Sequence, residues 1–305
     1  MPGPPGSALL SLALLLIVAP LLPGVAARTR AALTGRRGAP VHQLYVDLWK
    51  LLRRGVVYST TTTAIFRLAP VAVAATAVLA AALLPLNGTA GVLRFSGDAL
   101  AFAYLLGLGR FLLVLGALDT GSSFEGMGAS REVAFASVVE MGLFFAIAAV
   151  SVMTHELSLS GMFGAPREAG LRAGPPLVML AAGLFGLLLA ECARVPVDDP
   201  NTHLELTMIH EVMVLDHAGP DLALLLYAGA VKLAVMGALL VTLVVSRAAW
   251  PLPLSLAALL AGLLGVGVGV GVVEAATARL RLLKVPLYLA GAAALAGFGL
   301  VLVVR

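Results

Sequence analysis

The residues of this chain that could do chemistry are concentrated in one segment, 191–211, with the sequence ECARVPVDDPNTHLELTMIHE. Its histidines suggest a metal centre, but their spacing argues against one. His203, His210 and His217 are seven residues apart, which places neighbouring imidazoles about 10.5 Å apart along a helix, whereas ligands lie about 2 Å from a shared zinc ion. A zinc-protease helix starting at His210 would need its second histidine at position 214, where the chain has Val214. We therefore expect no metal site in this chain.

A second motif, DTGSS at Asp119–Ser123, matches the signature of aspartic proteases. That reaction requires two aspartates that share a proton, and the sequence contains no second Asp-Thr/Ser-Gly motif. The stretch is therefore interpreted as a turn at a helix end. The one cysteine, Cys192, allows neither an internal disulfide nor a four-cysteine cluster. We expect no catalytic residue here, and any redox-active metal must belong to other chains.

The composition predicts an all-α integral membrane protein. Of the 305 residues, 60% are hydrophobic and 12% are charged, against about 25% charged residues in a soluble domain. So large an apolar excess must face lipid, and a spanning helix needs about 20 apolar residues. The first span is interpreted as uncleaved, because basic residues follow it rather than precede it. Eight spans are predicted within one membrane domain, 1–305: 7–27, 64–85, 99–118, 133–153, 176–190, 222–246, 252–272 and 285–304.

Charge is distributed unevenly between the two ends of these helices. Lysine and arginine are concentrated in four connecting segments, 28–63, 119–132, 191–221 and 273–284, which together we call the charged face. The positive-inside rule places these four loops in the cytoplasm and both termini outside. The net charge of +4 is modest, and the basic residues lack the interleaved aromatics of a nucleic-acid groove. No nucleic-acid partner is expected.

A short amphipathic helix is predicted within the charged face, at 203–216. Thr202 and Glu205 have the spacing of a capping box, and Pro200 cannot continue a preceding helix. This helix would lie at the membrane surface or pack beneath the bundle.

Three charged residues fall inside predicted spans: Arg110, Glu140 and Lys232. A charged side chain at the bilayer centre costs about 2.5–3.5 kcal/mol, so these groups are expected to face protein or water rather than lipid. One interpretation is a set of structural ion pairs. The other is a buried path for protons, in which carboxyls such as Glu140 and Glu191 accept and release protons.

Four stretches of the chain resemble one known family. They are the segment 191–211 and the sequences GRRGAPVHQLYVDLWKLLRRG at 35–55, DTGSSFEGMGASREVAFASVVE at 119–140 and HAGPDLALLLYAGAVKL at 217–233. Together they resemble the respiratory complex I subunit 1 family, a membrane component of NADH–quinone oxidoreductase. They are most similar to its hydrogenase branch, the membrane subunit of formate hydrogenlyase and other group 4 [NiFe] hydrogenases.

The resemblance implies a subunit that binds no cofactor and anchors a peripheral redox arm in the cell inner (cytoplasmic) membrane. The NiFe centre and Fe–S clusters are then expected in a hydrogenase-like large subunit and a small Fe–S subunit, with antiporter-like membrane subunits as further partners. Electron transfer in the arm would be coupled to translocation of protons or sodium ions. By position, the resemblance implies a proton path or coupling role for Glu140, Glu191, Asp198, Asp199, Glu205, Glu211 and Lys232. It implies a junction with the redox arm for Arg36, Arg37, Arg131, Arg194, His203 and His210.

The sequence departs from the quinone-reducing members of this family at two positions. Those members read R-x-P-F-D-x-P-E, where this chain has Val197 for the aromatic residue and Asn201 for the final carboxylate. We therefore expect a hydrogenase-type partner without quinone in this cavity. Three alternatives stay open: a quinone-chamber subunit of a proton-pumping NADH–quinone oxidoreductase, a free-standing secondary ion transporter, and an anchor whose charges only hold helices together.

Overall fold

The regular structure of the described residues is entirely helical, as expected for an all-α membrane protein. The computed structural model describes residues 5–88, 90–164, 174–199, 208–247 and 250–305. Its α-helices are α1 (Pro5–Val18), α2 (Leu21–Leu33), α3 (Gln43–Leu52), α4 (Ala64–Leu83), α5 (Asp98–Asp119), α6 (Ser123–Thr154), α7 (Leu159–Gly164), α8 (Pro175–Glu191), α9 (Gly219–Val244), α10 (Leu252–Ala276) and α11 (Val285–Val304). Two 3-10 turns, Glu211–Val214 and Leu282–Lys284, complete the list.

Several helix ends are explained by a capping side chain, by proline in the first turn or by glycine in the following turn. The Thr63 hydroxyl accepts a hydrogen bond from the Ile65 backbone N–H at 3.2 Å and caps α4. Proline occupies the first turn of α8 to α11, where its missing N–H would have no helical partner. The turn predicted at the end of α5 is present, with Gly121 at a φ of 71°. Helix α6 begins at Ser123, so the segment 119–132, predicted as a loop, is largely helical.

Apolar helices account for the predicted membrane segments and make this a multi-pass membrane protein. Six helices, α4, α5, α6, α9, α10 and the last one at 282–304, are long and apolar enough to cross a bilayer. The first predicted span is a pair, α1 and α2, bent by 44°, because Pro20 cannot donate the helical hydrogen bond at that point. The fifth, α8, has only 17 residues. The count of eight crossings and the outward position of the termini stay predictions.

The helices pack through small residues. Helix α11 lies against α6 and α8, α4 against α5 and α9, and α10 against α2. At Gly271 of α10, a Cβ atom would lie 2.5 Å from the Ala26 carbonyl oxygen of α2. Only glycine permits this approach of two helix backbones.

The amphipathic helix predicted at 203–216 is wrong for its described part. Residues 208–216 contain one 3-10 turn and no α-helix. Met208, Ile209, Val212, Met213 and Val214 are all buried, so the segment is enclosed between helices. A surface helix would expose one side of this apolar run, whereas the compact turn buries all five side chains. The capping residues Thr202 and Glu205, and Pro200, lie outside the described residues.

Candidate functional site

A buried arginine in α5 is the centre of an ionic cluster. Arg110 is buried, and its guanidinium contacts three carboxylates. Its Nε lies 3.2 Å from Glu132 Oε1 and its Nη1 lies 2.9 Å from Glu140 Oε1. Its Nη2 donates to Glu191 Oε2. The ammonium of Lys232 lies 3.5 Å from the other oxygen of Glu191. We call these five residues the Arg110 cluster.

Four helices supply the Arg110 cluster. Arg110 comes from α5, both Glu132 and Glu140 from α6, Glu191 from the last turn of α8, and Lys232 from α9. With all five groups ionised the charges are −3 and +2, which sum to −1. Arg110 contacts all three carboxylates, and Lys232 contacts Glu191 alone. Because the carboxylates outnumber the cations by one, the cluster can bind a proton without leaving a cation unpaired.

A second ionic group lies beside the cluster, in the turn Arg194–Asp199, which we call the Asp198 turn. One Asp198 oxygen accepts from the backbone N–H groups of Ile209 and His210, at 3.2 and 3.0 Å. The other lies 2.8 Å from Arg279 Nη2. Asp198 thereby fixes the 208–214 segment and the basic 273–284 loop to the end of α8. Two further pairs flank it, Arg194 with Glu274 at 3.5 Å and Arg30 with Asp199 at 3.7 Å.

Small cavities connect the two ionic groups. A cavity of about 20 Å³ is lined by Arg110, Glu132, Glu191 and Asp198. A second, of about 40 Å³, is lined by Arg110, Glu132, Lys232 and His210. A water molecule needs about 10–15 Å³ on this measure, so the two cavities have room for a few waters beside charged groups. Burial, and secondarily the charge of Lys232, lowers the pKa of His210 to about 3, so its imidazole is neutral at pH 7.

One carboxylate of the Arg110 cluster is exposed on the outside of the bundle. The Glu140 side chain is 41% exposed and lines an open groove of about 460 Å³ between α5 and α6, together with Tyr104, Phe111 and Phe144. Tyr104 and Phe111 are exposed aromatics at the same groove. The cluster thus extends from enclosed cavities to a lateral surface at the level of the apolar helices.

The structure brings most of the predicted site residues together. Glu140, Glu191 and Lys232 belong to the Arg110 cluster, and Asp198, Asp199, Arg194 and His210 belong to or contact the Asp198 turn. The Arg131 guanidinium donates to the Met208 carbonyl oxygen at 2.7 Å.

The remaining predicted residues lie elsewhere. Glu211 begins the 3-10 turn and is partly buried. Arg36 and Arg37 are exposed between α2 and α3, on the outer surface of the charged face. Glu205 and His203 lie outside the described residues.

Glu132 is the main functional candidate that sequence reasoning missed. It occupies the middle of the Arg110 cluster, but the prediction assigned it to a loop. A signal was present, because Glu132 and Glu140 are eight residues apart and share a helix face once α6 is extended back to Ser123. Arg279, Glu274 and Arg30 were also not singled out as partners, since their pairing depends on the packing of distant segments.

Metal ligands are not grouped at this site. Among the described residues, no group of three or more histidine, cysteine or carboxylate side chains could hold a metal ion. The cavities of about 20 and 40 Å³ that these residues form at the Arg110 cluster have the size of a few water molecules.

The fold and the apolar helices define a polytopic membrane protein with buried charges, and the comparison with known proteins gives its family. The model of the NADH dehydrogenase family matches residues 7–304, so the chain belongs to this family, which is that of NADH dehydrogenase subunit 1. At the level of fold, the membrane-bound sulfane sulfur reductase (MBS), an archaeal respiratory membrane complex, contains a chain with a TM-score of 0.84 and 20% identity, covering 97% of this chain and 98% of that one.

Three curated relatives refine the comparison. Hydrogenase-4 component C of Escherichia coli (strain K12) is 32% identical over 239 residues, 77% of this chain and 74% of the relative. Formate hydrogenlyase subunit 4 of the same strain is 31% identical over 192 residues, 63% of this chain and 62% of the relative. A subunit of the NADH-quinone oxidoreductase of Paraburkholderia xenovorans (strain LB400) is 25% identical over 232 residues, 72% of this chain and 64% of the relative. The relatives are thus subunits of oxidoreductase complexes, and the hydrogenase members are the more similar ones.

Proposed function

We propose that this chain is the membrane-anchoring subunit of an energy-converting group 4 [NiFe] hydrogenase or formate hydrogenlyase-like complex. It would couple electron transfer in a docked arm to translocation of protons or sodium ions. Two relatives named as hydrogenase and formate hydrogenlyase subunits support this assignment over a quinone-reducing subunit. The Arg110 cluster is the observation that carries the coupling role, because a chain that served only as an anchor would not need three carboxylates around one buried arginine.

The partners follow from the same assignment. A hydrogenase-like large subunit with the NiFe centre and a small Fe–S subunit would dock on the charged face, where Arg36 and Arg37 are exposed. Antiporter-like membrane subunits would cover the Glu140 groove, since a carboxylate facing lipid is costly. The complex would lie in the cell inner membrane with the charged face in the cytoplasm.

The chemistry proposed for the Arg110 cluster is the uptake and release of a proton. A negative charge that arrives in the docked arm favours binding of a proton to the carboxylates, and its departure favours release. Glu140 is the member that could pass this proton to a neighbouring subunit, because its side chain reaches the groove. The Asp198 turn would place the charged face at a fixed distance from the cluster through Asp198 and Arg279.

The test uses the assembled complex in sealed membrane vesicles. Glu140→Gln and Glu191→Gln remove a titratable group and keep the side-chain size. We expect ion translocation per electron to fall by about a hundredfold, while Glu156→Gln, the same change at an exposed residue after α6, keeps the wild-type value. Wild-type translocation and redox turnover in both cluster variants would overturn the proposal and favour an anchor.

Three further measurements separate the alternatives. A free-standing transporter would move ions after purification without redox partners, whereas the proposed subunit would require the complex. Inhibition of turnover by quinone-site inhibitors would favour the NADH–quinone oxidoreductase alternative. Replacement of sodium by potassium in the assay distinguishes sodium from proton translocation.

A further inference from the structure

Glu125 and His217 are buried titratable side chains outside the Arg110 cluster. Glu125, in the first turn of α6, is 1% exposed, and its Oε2 has no hydrogen-bond partner among the described residues. His217, just before α9, is 3% exposed, and neither ring nitrogen has a partner in the described part of the chain. The two lie in one neighbourhood, because the backbone N–H of Asp216 donates to Glu125 Oε1 at 3.3 Å. Buried polar atoms without partners are rare, so each needs an explanation.

The described neighbours of His217 are an aromatic ring and two carboxylates. The His217 ring stacks on Phe66 with centroids 4.0 Å apart. Burial lowers the pKa of His217, against the opposing charges of Asp221 and Asp216. Asp221 is itself hydrogen-bonded by the Tyr58 hydroxyl at 2.8 Å.

Glu125 also has no cation beside it. Its polar neighbours are Thr120 and Asp216, and no ion pair to Glu125 is present among the described residues. A buried carboxyl with only neutral or acidic neighbours is favoured in its protonated form. Asp216 is exposed, so a route from solvent to Glu125 has only one residue to cross.

Helix α6 connects Glu125 with the Arg110 cluster. Glu125, Glu132 and Glu140 are seven and eight residues apart, so they lie within about 80° of one another around the helix. The rise per residue separates them by about 10.5 and 12 Å. These distances exceed one hydrogen bond, so transfer between the carboxyls needs intervening groups that carry the proton.

We propose that Glu125 and His217 form a proton-uptake site that supplies the Arg110 cluster from the charged face. A proton from solvent binds to Oε2 of Glu125 or to a nitrogen of His217, and the same proton passes through water to Glu132. No bond other than those to the proton forms or breaks. The inference rests on the proposed function, because it assigns the entry to a path whose middle is the Arg110 cluster.

The test compares Glu125→Gln and His217→Phe with Glu140→Gln in the assembled complex in vesicles. His217→Phe keeps an aromatic ring on Phe66 and removes the titratable nitrogens. We expect proton translocation per electron to fall by about a hundredfold in Glu125→Gln and by about tenfold in His217→Phe. Glu125→Asp restores a titratable carboxyl and should regain a large part of the translocation, which a purely structural role would not predict.

The outcomes separate the two proposals. If Glu140→Gln stops translocation while Glu125→Gln or His217→Phe keeps the wild-type value, the uptake site is overturned and the proposed function stands. If all three variants keep the wild-type value, the proposed function itself is overturned. Should Glu125→Gln fail to assemble, Glu125→Met provides the same comparison, since it removes the buried carboxyl and leaves only the Asp216 N–H without its acceptor.

Discussion

Two buried arginines, Arg110 and Arg247, differ in what surrounds them. Arg110 is held by the carboxylates of Glu132, Glu140 and Glu191. Arg247, which follows α9 and is 1% exposed, donates only to neutral groups. These are the carbonyl oxygens of Leu86 and Ser255, at 2.8 and 3.4 Å, and the Thr242 hydroxyl at 3.2 Å. Among the described residues, no carboxylate lies within ion-pair distance of Arg247.

The difference separates a site that can change its charge from one that cannot. The Arg110 cluster contains three carboxylates, which are groups that can bind a proton. Carbonyl and hydroxyl acceptors do not titrate near neutral pH. Burial lowers the pKa of Arg247 to about 10, so the guanidinium keeps its charge at pH 7. Arg247 joins the loop after α4 to α9 and α10, whereas Arg110 holds groups that can exchange protons.

Removal of Arg110 should have the largest effect. Arg110→Met leaves three carboxylates close together with only Lys232 to offset their charge. Breaking a buried ion pair from one side costs about 3–5 kcal/mol, so we expect a large loss of thermal stability in detergent and poor assembly of the complex. Arg94→Met, the same change at an exposed residue, serves as the control. Stability equal to that of the Arg94 variant would show that the ion pairs contribute nothing to folding.

Removal of Arg247 should cost less and leave coupling intact. Arg247→Met leaves three neutral acceptors without a donor, and such losses cost about 1–3 kcal/mol. No carboxylate loses its partner. Thermal unfolding in detergent and translocation per electron in vesicles measure the two effects. A coupling defect in a fully assembled Arg247→Met complex would contradict the division between the two arginines.

Replacement of a glycine in the charged face tests the packing of that face without altering its charge. In Gly128→Ala the new Cβ would lie 2.2 Å from Val212 Cγ1 and 2.9 Å from the Ile209 carbonyl oxygen, so the 208–214 segment must move. Overpacking of this kind costs about 1–3 kcal/mol. Gly126→Ala, where nothing lies within 4 Å of the new atom, is the matched control. Equal thermal stability of the two variants would show that the segment adapts freely.

The last prediction concerns pH, and near neutral pH its effect is the smallest. The folded protein keeps His210 neutral down to a pKa of about 3, whereas the unfolded chain binds a proton near the ordinary value of about 6.5. Stability should therefore fall as pH is lowered from about 6.5 towards 3, by at most about 1.4 kcal/mol per pH unit for this residue. His210→Gln should weaken that dependence in detergent unfolding curves, and His217 should contribute in the same direction. The prediction is refuted if the pH dependence of the unfolding free energy is unchanged in His210→Gln but altered in His42→Gln, a change at an exposed residue.

The sequence allows prediction of the membrane helices and of the charges that need partners, but not of the partners. Lipid imposes long apolar runs, so spans such as 99–118 and 222–246 could be recognised without a structure. Arg110, Glu140 and Lys232 were visible because a charge in such a run is costly. Glu132, Glu274 and Arg279 were missed because their partners are distant in the chain.

The local sequence signals for a helix at 203–216 did not predict the structure of the buried, described part of that segment. The capping box of Thr202 and Glu205 is a local signal for a helix, yet the described part of the predicted helix, 208–216, contains the 3-10 turn Glu211–Val214 and no α-helix. The Asp198 side chain holds the backbone N–H groups of Ile209 and His210, and this tertiary contact takes precedence over helix propensity. Such a contact between residues eleven and twelve positions apart has no periodic signature in the sequence.

Helix α6 has a mechanical consequence. Its 32 residues give a rod about 48 Å long, which exceeds the thickness of about 30 Å of the hydrocarbon layer of a bilayer. Glu125, Glu132 and Glu140 are fixed to this single rod. A displacement of one end of α6 along its axis would therefore move all three carboxyls together.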